Sequence, residues 1–121
     1  MSTRTITGNL ASDPEVVQAG NVSITKFRVI ENTGDYRDGK FQEHDTPTTH
    51  FVEAKFELGA NAAASLHKGD AVIVVGREHT NSWEKDGAKQ YGRVIEADAI
   101  GASLVRATVE ITKNLAGDHD N

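Results

Sequence analysis

Over most of the chain, apolar and polar residues alternate with a period of two, the mark of half-buried strands. The alternating stretches are short and separated by turn residues. Residues 6–10 form the first and end at Ala11, Ser12, Asp13 and Pro14, where Pro14 fixes its own φ and restrains Asp13. In 22–30 the apolar set moves from Val22 and Ile24 to Phe27 and Val29, which predicts a bulge near Thr25 and Lys26. Residues 32–49 are polar and rich in turn pairs (Thr33-Gly34, Asp38-Gly39, Thr46-Pro47), so a long loop or an extended hairpin is expected. From Phe51 the alternation sets Val52, Ala54 and Phe56 on a core face, with Phe51, Glu53, Lys55 and Glu57 on the other. A helix is predicted over 61–68: Asn61 can cap it, Leu58, Ala62 and Leu66 recur at helical spacing, Lys68 suits its negative end, and Gly69 stops it. Residues 71–75 are a buried strand. A hairpin over 80–100 turns at Asp86-Gly87, with Trp83 on its outgoing arm and Tyr91 on its return. Val105, Ala107, Val109 and Ile111 alternate with polar neighbours and predict a further strand.

Bent strands with one short helix after the third give an all-β chain, a five-stranded Greek-key barrel of the OB type. Extended hairpins and a C-terminal extra strand complete the expected fold. The barrel should occupy residues 1–113, followed by a disordered tail over 114–121. A length of 121 residues fits one domain, and 37% hydrophobic with 26% charged residues fits a globular protein with no membrane segment. The absence of cysteine excludes disulfides and thiolate metal sites, and no secretory h-region opens the chain, so a cytoplasmic setting is expected. A net charge of −5 counts against simple electrostatic binding to nucleic acid. Acidic residues gather over 35–45 and at Asp118 and Asp120, however, which leaves room for a locally positive groove elsewhere.

Trp83, the single tryptophan, stands among Asn81, Ser82, Glu84 and Lys85, where no core is in reach. Tyr36 sits between Asp35 and Arg37 in the polar segment, and Phe51 shares a face with Glu53 and Lys55. These rings and Tyr91 are interleaved with Arg37, Lys40, Lys55, Arg77, Lys85, Lys89 and Arg93. Single-stranded nucleic acid needs that mixture: bases stack on π-faces for roughly 1–3 kcal/mol each, and cations follow the phosphates. The bland alternative is that the rings cover the barrel's edge; Phe27 and Phe56, in phase with apolar neighbours, are expected in the core. His44, His50, His67, His79 and His119 show no ligand spacing, so no metal is expected. Glu96 and Asp98 share a strand face without a nucleophile beside them and read as a solvated or intersubunit surface. No phosphate loop, dinucleotide fingerprint or nucleophile elbow occurs, and no catalytic residue or cofactor is expected.

Gly8-Asn9-Leu10-Ala11-Ser12-Asp13-Pro14-Glu15, followed in order by Tyr36-Arg37-Asp38, Phe51 and Ser82-Trp83-Glu84, resembles the motif order of bacterial single-stranded DNA-binding proteins, whose first strand ends in the signature G-N-L-x-x-D-P-E. Tyr36-Arg37-Asp38 is similar to their aromatic-Arg-Asp element, Phe51 to the aromatic opening their third strand, and Ser82-Trp83-Glu84 to the exposed aromatic of their hairpin. Residues 66–70 and 75–77 resemble their helix end and fourth strand, so the likeness covers 4–113. It implies an OB-fold homotetramer that coats single-stranded DNA without sequence preference. Tyr36, Phe51 and Trp83 carry over as stacking platforms, and Arg37, Lys55, Arg77, Lys85 and Arg93 as phosphate contacts, with Tyr91 a further candidate. Two departures stand out. Where the family has another aromatic, six residues after the position of Phe51, this chain has Glu57, so one platform is expected to be missing. The family's long tail, which ends in acidic residues and Pro-Phe and recruits replication and repair proteins, is not matched by Gly117-Asp118-His119-Asp120-Asn121. The segment after Leu104 resembles the C-terminal extension with which actinobacterial members clamp neighbouring subunits. A rival expectation is an OB-fold paralogue that serves as a protein-interaction or oligomerisation module with weak nucleic-acid binding.

Overall fold

The alternation closes into a ring. A computed structural model describes residues 2–31, 34–37, 39–43 and 47–115, with backbone alone at 34–37 and 41–43. Its elements are β1 (Ser2–Leu10), β2 (Glu15–Ala19), β3 (Val22–Glu31), β4 (Gly34–Arg37), β5 (Lys40–Glu43), β6 (Thr48–Lys55), α1 (Phe56–Ser65), β7 (Ala71–Lys85) and β8 (Ala88–Ala102). Strands pair in the order β1-β7-β8-β6-β3, and β3 returns to β1 through Asn9 opposite Ile30 and Leu10 opposite Val29. All these pairings are antiparallel except β6 with β8, and α1 follows the third ring strand. This is the expected OB barrel. β2 adds to the other edge of β3, and β4 with β5 makes the extended hairpin foreseen within 32–49.

Inward residues of every ring strand fill the core: Ile6 and Leu10, Phe27 and Val29, Val52 and Ala54, Val72 and Val74, Ile95 and Ala97. Burying such side chains stabilises by roughly 1.5–3 kcal/mol for each Val, Leu, Ile or Phe, so this layer dominates the fold's stability. Ala62 of α1 and Leu66, which caps the helix in extended conformation, close one end of the barrel, with Leu58 packed against the core.

Several local expectations give way to tertiary contacts. No register break occurs in β3: Thr25 takes the core position itself, 2% exposed, and its hydroxyl donates to the Gly59 carbonyl at 2.8 Å. Ile24 instead packs on the outer surface opposite Val17 of β2, a strand that the sequence reading missed. The register shift lies in β7 and β8, where Val75 opposes Ala99 and Gly76 opposes Ala97, leaving Asp98 as the extra residue. Phe56 is not in the core. It opens α1 with φ of 58° and is 72% exposed, because the strand ends at Lys55 and the chain swings outward there.

The helix also starts five residues before its expected position and ends three before it. Lys55 stands at its N-cap without a side-chain bond, and Asn61 lies inside the helix. Gly59 permits the shift, since a Cβ there would come within 2.5 Å of the Ala54 carbonyl oxygen. Lys68 lies beyond the helix because its segment is stapled to the end of β1. The Lys68 N–H donates to Asp13 at 2.8 Å, and the Gly69 N–H to the Leu10 carbonyl at 2.9 Å. Residues 105–111 form no strand; their apolar side chains, Val105, Val109 and Ile111, are exposed. The Asn114 side chain reaches Glu57, and the rest of the expected tail, 116–121, lies outside the described residues. Among the described residues no helix is long and apolar enough to cross a membrane.

Candidate nucleic-acid interface

β1 follows β7 only as far as Glu78, and β6 follows β8 only over Val94 to Glu96. Residues 79–93 therefore leave the barrel as a free two-stranded ribbon. Its Asp86-Gly87 turn has positive φ at both positions, 54° and 77°, as a two-residue hairpin turn of type I′ requires. The period of two then fixes what the ribbon presents. Trp83 opposes Gln90 and Asn81 opposes Gly92 on one face; Ser82 opposes Tyr91 and Thr80 opposes Arg93 on the other.

Trp83's face continues onto the barrel. Phe51 of β6 opposes Val94 of β8 and Arg28 of β3, while Glu53 opposes Glu96 and Lys26. Together they line a groove of about 590 Å³ with Val94 at its floor, Phe51 and Trp83 as its rings, and Lys26 and Arg28 as its cations; Arg93 borders it, but from the other face of the ribbon, where its guanidinium lies 3.7 Å from Glu78. Both rings are open to solvent, Phe51 52% and Trp83 47% exposed. Three carboxylates, Asp13, Glu15 and Glu53, also line it, so the groove carries no formal positive excess. Glu53 lies 3.7 Å from the Lys26 ammonium, and Asp13 accepts the Lys68 N–H, so part of this negative charge is already engaged.

Beyond Glu53 the same surface carries an ion-pair lattice. Glu96 meets the Lys55 ammonium at 3.0 Å and the Arg77 guanidinium at 3.5 Å, and Asp98 meets Arg77 at 3.1 Å. The hydrogen bond from Lys55 holds the Glu96 carboxyl below the ordinary carboxylate range against the opposing effect of burial, and the charges of Lys55, Arg77 and His79 add to it. Arg77 Nε is buried without a hydrogen-bond partner among the described residues.

The structure thus brings Phe51 and Trp83 to one groove, with Arg93 at its border on the other face of the ribbon. Lys55 and Arg77 lie on the adjoining surface but are bound to carboxylates. Tyr91 lies on the opposite face of the ribbon from Trp83, and Lys85 is exposed at the ribbon tip beside the turn. Arg93 is also shared: its guanidinium comes within 3.7 Å of Glu78, which pairs with Arg4 at 2.9 Å. Tyr36 and Arg37 lie on β4, and their side chains are outside the described residues. Lys26 and Arg28, absent from the candidates read in the sequence, face the groove because they flank Phe27 in an unbroken strand. Their alternation with Thr25, Phe27 and Val29 is the signal, and the assumed bulge hid it. Among the described residues no three His, Asp or Glu side chains gather where they could hold a metal ion.

A family model described as the single-strand binding protein family matches residues 1–103. A protein of Streptomyces coelicolor named single-stranded DNA-binding protein 2 is 33% identical over 113 residues, covering 90% of this chain and 56% of that protein. The single-stranded DNA-binding protein of Paenarthrobacter aurescens is 36% identical over 115 residues, covering 93% of this chain and 67% of the relative. The chain therefore spans little more than half the length of the Streptomyces relative. Two solved structures share the fold. The small single-stranded DNA-binding protein of Streptomyces coelicolor superposes with a TM-score of 0.75 at 26% identity, covering 88% of this chain and 97% of that one. The second such protein of Mycobacterium smegmatis gives 0.72 at 28% identity, covering 93% and 98%.

Proposed function

The chain belongs to the single-strand binding protein family, and we propose that it binds and protects single-stranded DNA without sequence preference, serving replication, recombination and repair. The observation that carries this reading is the groove in which Phe51 and Trp83 flank a nearly buried Val94 floor with Lys26 and Arg28 beside it. Bases stack on the two rings, the cations neutralise phosphate, and neither interaction distinguishes one base from another. Tyr36 and Arg37 extend the path onto the β4–β5 hairpin, and Lys85 and Tyr91 meet strand that wraps over the ribbon. Lys55 and Arg77 contribute only where phosphate displaces their carboxylate partners. No step is catalytic, and a cytoplasmic, nucleoid-associated setting follows from the substrate.

Assembly into a homotetramer belongs to the same proposal. Leu104, Val105, Val109, Ile111 and Leu115 are all exposed in the single chain, and a neighbouring subunit would cover them.

The lack of a positive excess in the groove favours a second reading, a protein-interaction module with weak nucleic-acid binding. Titration with oligo(dT), followed by the fluorescence of Trp83, separates the two. Strong quenching that weakens with salt is expected of the DNA-binding protein. No quenching at micromolar protein in low salt would reject it in favour of the module. Trp83→Ala, with the fold intact, is expected to weaken binding by about 1–3 kcal/mol.

A further inference from the structure

Gly92 is the residue of β8 that faces the Trp83 ring, standing diagonally across the ribbon from it. A Cβ built on Gly92 would lie 2.9 Å from Trp83 Cη2 and 3.2 Å from Cζ3, closer than any real Cβ contact allows at the first atom. The benzo edge of the indole therefore rests on the bare backbone of β8. Glycine inside a strand loses more conformational entropy than alanine on folding and offers no side chain to pack. Such a residue marks a place where something must approach closely, and here that something is the ring. The same strand carries Gly101, where an added Cβ meets nothing within 4 Å.

We propose that Gly92 is a positioning residue for Trp83: lacking a Cβ, it lets the benzo edge of the indole reach across the ribbon onto β8, and this seat fixes how the ring is presented to the groove. The indole then acts as a platform of fixed orientation for a base. The seat also brings its outer edge toward Phe51. Gly92 and Val94 are two residues apart on β8, and Phe51 opposes Val94 on the next strand. From strand rise and spacing, Trp83 and Phe51 are rooted roughly 16 Å apart, but the Gly92 seat of the indole edge lies only about 8 Å from the root of Phe51, close enough for one unstacked strand to use both rings. Any Cβ at position 92 pushes the free end of the Trp83 side chain off the ribbon, because the ring can swing and the backbone cannot.

This inference rests on the proposed DNA-binding reading for its consequence but not for its geometry, and the test separates them. Gly92→Ala is compared with Gly101→Ala, both in the parent chain and in the Trp83→Ala background. In the free protein, Gly92→Ala should shift the Trp83 emission to the red and raise its quenching by acrylamide, while Gly101→Ala changes neither. Those readouts need no DNA, so they decide the contact even if oligo(dT) does not bind. Against oligo(dT), Gly92→Ala should weaken binding roughly 5- to 20-fold, part of one base stack, and should have no further effect once Trp83 is alanine. Unchanged emission and quenching in Gly92→Ala would overturn the proposal, and so would an equal loss of affinity with and without Trp83. If Gly92→Ala fails to fold, the double variant decides: recovery of the fold when the ring is removed supports the contact, and continued misfolding assigns Gly92 to the backbone instead.

Discussion

At the scale of single residues, two side chains depart from the alternation around them for opposite reasons. Thr25 is polar yet sits inside, since the Gly59 carbonyl gives its buried hydroxyl an acceptor. Phe56 is apolar yet sits outside, in a left-handed conformation that costs an L-residue with a Cβ about 1–2 kcal/mol. Neither was legible in the chain, because both are set by where α1 meets the barrel and not by their sequence neighbours. Phe56→Gly relieves the backbone while removing little buried area. It is expected to stabilise the isolated barrel by about 0.5–1 kcal/mol, a rise of a few degrees in the thermal midpoint. A lower midpoint would mean that contacts of the exposed ring outweigh the strain. By contrast, the positive φ values at Asp86 and Gly87 were legible, since few residue pairs other than Asn-Gly and Asp-Gly accept a type I′ turn.

At the scale of elements, strand register decides which charges are available. Glu53 and Glu96 oppose each other across β6 and β8, an unfavourable pairing relieved by Lys26 on one side and Lys55 on the other. Of the cations named from the sequence as phosphate contacts, Lys55 and Arg77 are held in the lattice, Arg93 is drawn to Glu78 and Lys85 stands at the ribbon tip. Glu96→Gln should loosen the hold on Lys55 and Arg77. It should tighten oligo(dT) binding at low salt and steepen the dependence of log affinity on log salt by about 0.7 for each cation released to phosphate. An unchanged slope would place the bound strand away from this part of the surface. The same carboxyl predicts a pH response. Its pKa is lowered in the folded chain, so its contribution to stability is complete above the ordinary value near 4.5 and is lost as pH falls through the lowered value. The melting difference between the parent and Glu96→Gln should accordingly be present at neutral pH and close in acid, measured by thermal denaturation across a pH series.

At the scale of the whole molecule, a closed five-stranded ring leaves little barrel edge for pairing, so the proposed association would fall to the added elements. The exposed apolar side chains over 104–115 are the clearest such surface. A chain stopped after Ser103 is expected to show a lower mass by light scattering than the full chain, and an identical mass would move the subunit contact elsewhere. The alternation over 105–111 thus predicts strand character that a single chain has no partner to satisfy. What the sequence determined by itself was local and periodic: the apolar positions of Ile6, Val52, Val74 and Ile95, the hairpin at Asp86-Gly87, and the exposure of Trp83. Those features follow from steric limits at each residue and from the two-residue repeat of a strand. The tertiary structure alone decided the register of β3, the start of α1, the pairing of Lys55 and Arg77 with carboxylates, and the separation of Tyr91 from Trp83's face. Each depends on which strand lies alongside, and a closed ring brings together residues as far apart in the chain as Arg28, Phe51 and Trp83.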